Sequence, residues 1–494
     1  MRRRFRPILA LVLAPVLAGC FASGGGGSDS AATGSRLRVA LAFPPAENLS
    51  PYGADATILS RLGVTEGLTA LDPDGTATPA LAASWRRENE KTWLFTLREA
   101  TFQDGSKVTP AAVAAALTHA AQAEPAPAAL EGVTLTAKAE GGGVRVTTGA
   151  PDPILPLRLS SPSLAVLSAK AYKEKDEVDP VGTATGPYEL TKVMGTTAAT
   201  LDRYDDHWGG RAQATGIDVK FVADGTARAS ALRTDQVDLA EAIPVAQAAT
   251  LDKGTREATA TTRTTSLLLN SQKGPFKDAA LRAAARAAVD TSTLAEDVHE
   301  GYADPGTGIY GPAVTWAAGK RTEPVGRAEP GRPDGTRVTL ATYDNRPELP
   351  EVAQVLKQQL EKAGFQVTLE VREYSRLESD ALAGKFDAFV LARNTLVDTG
   401  DPVSVLASDY TCDGGYNLAQ LCDKDVDRAV AKAERATDTA GRQDAAMAAE
   451  ARILGTDAVV PLVHQRIITG VGTSVSGALL DPYERALVGI GTRR

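Results

Sequence analysis

Residues 338–392 read VTLATYDNRPELPEVAQVLKQQLEKAGFQVTLEVREYSRLESDALAGKFDAFVLA, and they decide the architecture. Val338–Tyr343 has the apolar, β-branched content of a buried strand. Between Glu351 and Ala363, Val352, Val355, Leu356 and Leu360 fall on one face of a helix, and Gly364 stops it before Phe365-Gln366-Val367 opens a strand over Val367–Val371. A second helix around Leu377–Ala383 and a third strand, Asp387–Ala392, complete a βαβαβ series. Strands joined by crossover helices form a parallel sheet, so this stretch predicts one α/β lobe. A lobe of this kind does not by itself name a ligand.

Outward from this stretch the texture persists. Leu37–Phe43, Ile217–Val222 and Leu267–Asn270 read as strands among Ala-rich amphipathic helices. The Pro/Gly-rich run GKRTEPVGRAEPGRPDG, Gly319–Gly335, is expected to be an exposed loop between the lobe and the helical region Asp278–Glu300. In the Ala-rich segment Ala111–Ala129, Val113, Leu117 and His119 have helical spacing, and His119 is read as a packed or surface helix residue without chemistry. No internal repeat is visible.

The 494 residues, 43% hydrophobic and 23% charged, suffice for about three packing units or two large lobes, which excludes a disordered chain and a disulfide-stapled mini-protein. The net charge of -8, with no long basic run past the N-terminus, argues against nucleic acid as a partner. Three Cys and four His form no close-spaced metal cluster. A serine-hydrolase elbow, a phosphate-cradling Gly loop and an HExxH helix are all missing, and His119, His207, His299 and His464 are scattered. An enzyme is not expected, nor is a cofactor.

The N-terminus sets the compartment. Arg2, Arg3, Arg4 and Arg6 precede the apolar run Ile8–Leu17, an export signal too short to span a membrane: ten residues make about 15 Å of helix against a hydrocarbon core of ~30 Å. The run ends in Leu17-Ala18-Gly19-Cys20, which resembles the bacterial lipoprotein processing box, so residues 1–19 are expected to be removed and Cys20 to carry the lipid. Residues 20–35 then form a Gly/Ser tether with a reach of about 20 Å. Loss of the four arginines takes the net charge from -8 to -12. The expected location is the extracytoplasmic face of the cell membrane, reached by the lipid anchor alone.

Several blocks occur in a family's order: EGL (Glu66–Leu68), DPDG (Asp72–Gly75), PALAASW (Pro79–Trp85), TWLFTLREATFQDGS (Thr92–Ser106), TGPYEL (Thr185–Leu190), DRYDDHWGG (Asp202–Gly210), ALRTDQVDLA (Ala231–Ala240) and NSQKGPFKDAALRAAARAAVD (Asn270–Asp290). Physically they are scaffold: Trp85, Trp93 and Phe95 are apolar anchors, Asp104-Gly105 a turn, and Gly186-Pro187 opens a strand whose partner begins near Leu201. Over nearly the whole chain past the signal they resemble the extracytoplasmic solute-binding proteins of ABC importers, in the peptide/nickel family.

That resemblance implies an α/β, two-lobed clamshell with the ligand cleft between the lobes. Lobe I would comprise 36–50, 183–265 and 478–494, with an extra domain at 51–182 beside it. Lobe II would comprise 266–477, and hinge crossings would lie near 265 and 477. It also implies an Asp that pairs with a peptide's α-ammonium; the matching segment, Val397–Pro402, offers Asp398. Arg393–Leu396 would supply backbone for an extended peptide, with Arg393 at the site and Asp55 and Thr57 opposite. Where peptide binders commonly carry Trp, three residues before the clamp Asp, this chain has Thr395. The dipeptide binders have a disulfide just after the clamp loop, matching Cys412 and Cys422 here. The implied function is capture of di- or oligopeptides for an ABC permease by a monomeric, lipid-anchored protein. The alternatives are a nickel chelate or other small solute in the same fold, or a signalling lipoprotein that no longer serves transport.

Overall fold

The computed structural model describes residues 35–173 and 177–494. The expectations for the export signal, for Cys20 and for nearly all of the tether lie outside these residues.

The βαβαβ series forms as read. Strands Arg337–Tyr343, Gln366–Arg372 and Ala388–Asn394 are joined by helices Glu348–Lys362 and Glu378–Leu382. Arg337–Tyr343 pairs in parallel with both other strands, so the chain leaves it on one side and returns on the other. The helix Glu348–Lys362 buries Val352, Leu356 and Leu360, the face its spacing requires.

These strands belong to one eleven-stranded sheet that runs through the body. Its middle is a pair of long antiparallel strands, Arg256–Leu269 and Val459–Val471. On one side lies the βαβαβ unit. On the other, Leu37–Leu41 pairs in parallel with Leu239–Ala240 and Gly216–Phe221, and the antiparallel strands Ala198–Arg203 and Tyr188–Met194 follow. The register of the long pair breaks between Ala260 and Thr264, and again between Thr265 and Ser266. The apolar cores divide around that break. One, containing Leu267–Leu269, Leu340, Leu356 and Val390, serves the βαβαβ side, and another, containing Leu37, Val39, Ile217 and Leu239, serves the far side. Bulged ladders bend where flat ones resist.

A third core fills a four-stranded antiparallel sheet ordered Ala82–Asn89, Thr92–Leu97, Gly143–Thr148, Leu135–Glu140, with helix Pro110–Ala121 packed on it. Thr109 caps that helix by accepting the Ala112 amide, and Pro110 takes its first turn, where a missing N–H costs nothing. His119 stacks on Tyr172, 3.9 Å between ring centres.

One expectation changes, and another gains detail. The strand read at Leu267–Asn270 begins at Arg256; its first half, REATATTRTT, is polar enough to hide. The Gly319–Gly335 run is exposed over much of its length but is held along its course. Val325 donates to the Ala451 carbonyl at 3.2 Å and Gly331 to that of Ala280 at 2.8 Å, which makes it a strap across its lobe.

Candidate functional site

In an open α/β sheet, the loops at the carboxyl ends of neighbouring parallel strands leave a crevice where the chain switches sides. Here those loops are 344–347, after Arg337–Tyr343, and 395–401, after Ala388–Asn394. Opposite them stands the loop after Leu37–Leu41, whose Phe43 is 41% exposed. The Arg346 guanidinium lies 5.9 Å from the Phe43 ring centre, so the two edges face each other.

Arg346 makes no ion pair within 4 Å among the described residues. Burial and the neighbouring Arg263 both hold it below the ordinary arginine range, although Tyr343, Glu348 and Glu484 act against this. A half-buried cation without a counter-ion attracts a carboxylate.

Asp398 lies on the second loop, with its side chain 39% exposed and its carboxylate 3.8 Å from the Arg393 guanidinium. Arg393 is not free for a ligand. It donates through Nε to Asp409 at 3.0 Å and lies 4.9 Å from the Tyr416 ring centre. Buried Asp409 is its nearer counter-ion and Asp398 the more distant one. Tyr374 hydrogen-bonds Tyr416 and donates to Glu378 at 2.9 Å, while Tyr343 meets Tyr374 edge-on at 5.0 Å. The disulfide Cys412–Cys422 closes the loop that carries Tyr416.

Where the long strands cross, Glu484 receives Arg263 through two bonds of 3.0 Å and Asn394 through a third of 3.0 Å, with Arg61 at 3.7 Å. Burial alone would raise this carboxyl, but Arg263, Arg346 and Arg61 outweigh it and hold it at about 2. Arg61 also pairs with Glu241 at 2.7 Å, and Glu241 accepts the Ala42 amide, which ties the Phe43 loop to the same network.

Asp55 and Thr57 do not join this site as ligand groups. Asp55 is 1% exposed, and its carboxylate accepts the amides of Ala46, Glu47 and Leu49, so it holds a turn together and is covered from a solute. Thr57 donates to the Ala54 carbonyl. The backbone of Arg393–Leu396 is no open edge either: Arg393 sits in the ladder opposite Thr264, Thr395 donates to Thr262, and the Leu396 amide donates to Asn394 Oδ1. The clamp loop instead closes on the hairpin Thr69–Pro79. At Gly400 the left-handed backbone (φ +72) favours glycine, and a Cβ there would stand 2.6 Å from the Leu71 Cδ1 methyl.

Arg346, Arg263 and Glu484 escaped sequence reasoning. The last two are partners across 221 residues, but Arg346 had a signal: it follows the central strand of the βαβαβ series, at the switch point.

Comparison with known proteins gives consistent results. The family model for bacterial extracellular solute-binding proteins, family 5 Middle, matches residues 76–417, more than half of the chain. The nickel-binding protein NikA of Staphylococcus aureus is 24% identical over 456 residues, covering 90% of this chain and 89% of the relative. The glutathione-binding protein GsiB of Shigella dysenteriae is 26% identical over 464 residues, covering 88% and 90%. Among solved structures, DppA of Helicobacter pylori, in complex with peptide STSA, superposes with a TM-score of 0.77 at 19% identity, covering 93% of this chain and 98% of that one. The fold is therefore the two-lobed α/β clamshell.

Proposed function

Because the chain belongs to the bacterial extracellular solute-binding proteins of family 5, we propose that it captures short peptides between its lobes and passes them to an ABC permease, with no covalent chemistry of its own. One observation carries the choice of peptide: the unpaired guanidinium of Arg346 and the part-exposed carboxylate of Asp398 stand on neighbouring loops that face the opposite lobe. A cation outside any ion pair and a carboxylate held only loosely by Arg393, at 3.8 Å, complement a zwitterion on one wall, whose carboxylate meets Arg346 and whose ammonium meets Asp398.

Each charge-assisted contact contributes about 1.5–3 kcal/mol, or roughly ten- to a hundredfold in affinity. Calorimetry with trialanine, its N-acetyl form and its C-terminal amide tests the assignment. Blocking either end should weaken binding to the wild type by that factor. Asp398→Asn should lose discrimination only against the acetyl group, and Arg346→Gln only against the amide. Equal affinities for all three ligands in the wild type would refute the reading.

A second reading rests on the likeness to NikA: a nickel chelate in place of a peptide. Among the described residues no group of three His, Cys, Asp or Glu could hold a bare metal ion, so the metal would arrive already wrapped by an organic acid or amino acid. Saturable binding of nickel–histidine with no response to trialanine would favour this reading.

The lipid anchor belongs to the same proposal and rests on the Leu17-Ala18-Gly19-Cys20 box, since no helix among the described residues is long and apolar enough to cross a membrane. Expressed in a bacterial host, the wild type should sediment with membranes and Cys20→Ser should appear in the soluble fraction. A wild-type protein recovered free of membranes would remove the anchor from the account.

A further inference from the structure

Arg485 stands where the three apolar cores meet. The residues two positions to either side of it belong to different cores, Tyr483 to that of the βαβαβ side and Leu487 to that of the far side. Its Nε donates to the Val397 carbonyl at 2.8 Å, next to Leu396 of the first core. Its Nη1 donates to the carbonyl and Oγ of Ser160 at 3.3 and 3.2 Å, next to Leu159 of the third. The mount is firm. The Arg485 amide donates to Asp481 at 2.6 Å, its carbonyl accepts from Ser60 Oγ at 2.8 Å, and the Leu487 amide donates to the Arg61 carbonyl at 3.1 Å. Bonds inside the gripped loop are local by contrast, with Gly400 donating to Leu396 and Asp401 to Thr399 Oγ1. The gripped carbonyl is the one immediately before Asp398.

Packing alone does not account for a guanidinium in this place. Arg485 is 7% exposed and makes no ion pair within 4 Å among the described residues. Burial lowers it to about 10, although Asp481, Asp398 and Tyr483 act against this. Its side-chain acceptors are neutral oxygens, which a neutral donor would serve at a smaller desolvation cost. Nε and Nη2 form one edge of the guanidinium, and Arg263 and Arg442 both set that edge on a carboxylate. Arg485 sets it on the clamp loop instead, with Nε on Val397 and Nη2 buried without an acceptor. A buried donor left unmet calls for a reason, and the hold on one particular carbonyl supplies it.

We propose that Arg485 is a positioning residue for ligand capture: through the Val397 carbonyl it holds the Asp398 carboxylate where a ligand's ammonium meets it. This rests on the peptide reading of the site. Arg485→Gln strands no counter-ion, so it should fold with a wild-type circular dichroism spectrum, and Arg485→Lys keeps the charge but can reach only one of the two acceptors at a time. In ligand-free protein, hydrogen exchange over 397–401 should be about tenfold faster in Arg485→Gln than in the wild type, with 348–362 unchanged. By calorimetry, the roughly ten- to hundredfold preference for trialanine over its N-acetyl form should shrink to about threefold or less in Arg485→Gln, while the preference over the C-terminal amide stays. Arg485→Lys should show both changes in smaller measure. The proposal fails if exchange over 397–401 is unchanged in both variants, if both keep the full preference over the N-acetyl form, or if both preferences vanish together, which would mean collapse of the site. A wild type with neither preference would refute the peptide reading instead, and the exchange rates would still decide whether Arg485 holds the loop.

Discussion

Glu484→Gln should lower the stability of the protein by about 3–5 kcal/mol at neutral pH, because it strands the buried Arg263 guanidinium without its counter-charge. The native carboxylate lies at the crossing of the long strands, 6% exposed, and accepts three bonds of 3.0 Å from Arg263 and Asn394. Its folded pKa of about 2 lies below the ordinary 4.5, so the unfolded chain takes up the proton first as the medium becomes acid. The contribution is then complete above about pH 4.5 and is lost as pH falls toward 2, a difference on the order of 3 kcal/mol. Urea midpoints at pH 7 and pH 3 test this. The wild type should lose more stability between the two than Glu484→Gln, and the two proteins should converge in acid. Midpoints that fall in parallel would show that this carboxylate carries no such linkage.

Arg442→Met should be comparably damaging, through the loop that presents Asp398. Asp401 ends that loop, caps the helix Pro402–Tyr410 through the Ser404 amide, and receives Arg442 at 2.5 and 2.8 Å. Arg442 also donates to the carbonyls of Ala433 and Glu434 at the end of the helix Lys424–Arg435. Its removal leaves an ionised carboxylate buried and alone, again about 3–5 kcal/mol. The diagnostic is the pair. Asp401→Asn combined with Arg442→Met removes the orphaned charge, so the double variant should be more stable than Arg442→Met alone. If the two losses simply add, the ion pair is not what holds the loop. Arg442→Lys should recover only part of the loss, because an ammonium cannot reproduce the two-pronged contact.

What could be read from the residues follows from how local each signal is. The helix Glu348–Lys362 and the strands beside it write their burial into periodicity, whereas Asp398 was assigned to the loop that follows them by likeness to relatives alone. The first half of Arg256–Leu269 went unread. Its threonines are covered by a neighbouring strand and by the other lobe, and polar residues buried by distant chain leave no local pattern. Asp55 shows the reverse error: an acidic residue placed near the cleft by likeness to relatives proves to be the keystone of its own turn. The pairing of Glu484 with Arg263 is invisible in one dimension, since nothing near either residue marks the other. The run Gly319–Gly335 is the exposed, irregular segment its prolines and glycines predict, but those residues say nothing about where it is attached.

The long strands also fix the order in which the body can be completed. Val471 lies opposite Leu239, Leu487 and Val488 pack with Leu37 and Val39, and Arg494 reaches Asp238 at 3.1 Å. The sheet around Leu37–Leu41 is therefore sealed by residues more than 400 positions further along the chain. Without Gly470 and Val471, Leu239–Ala240 would have an unpaired flank, so this lobe cannot close its sheet from its own early segments.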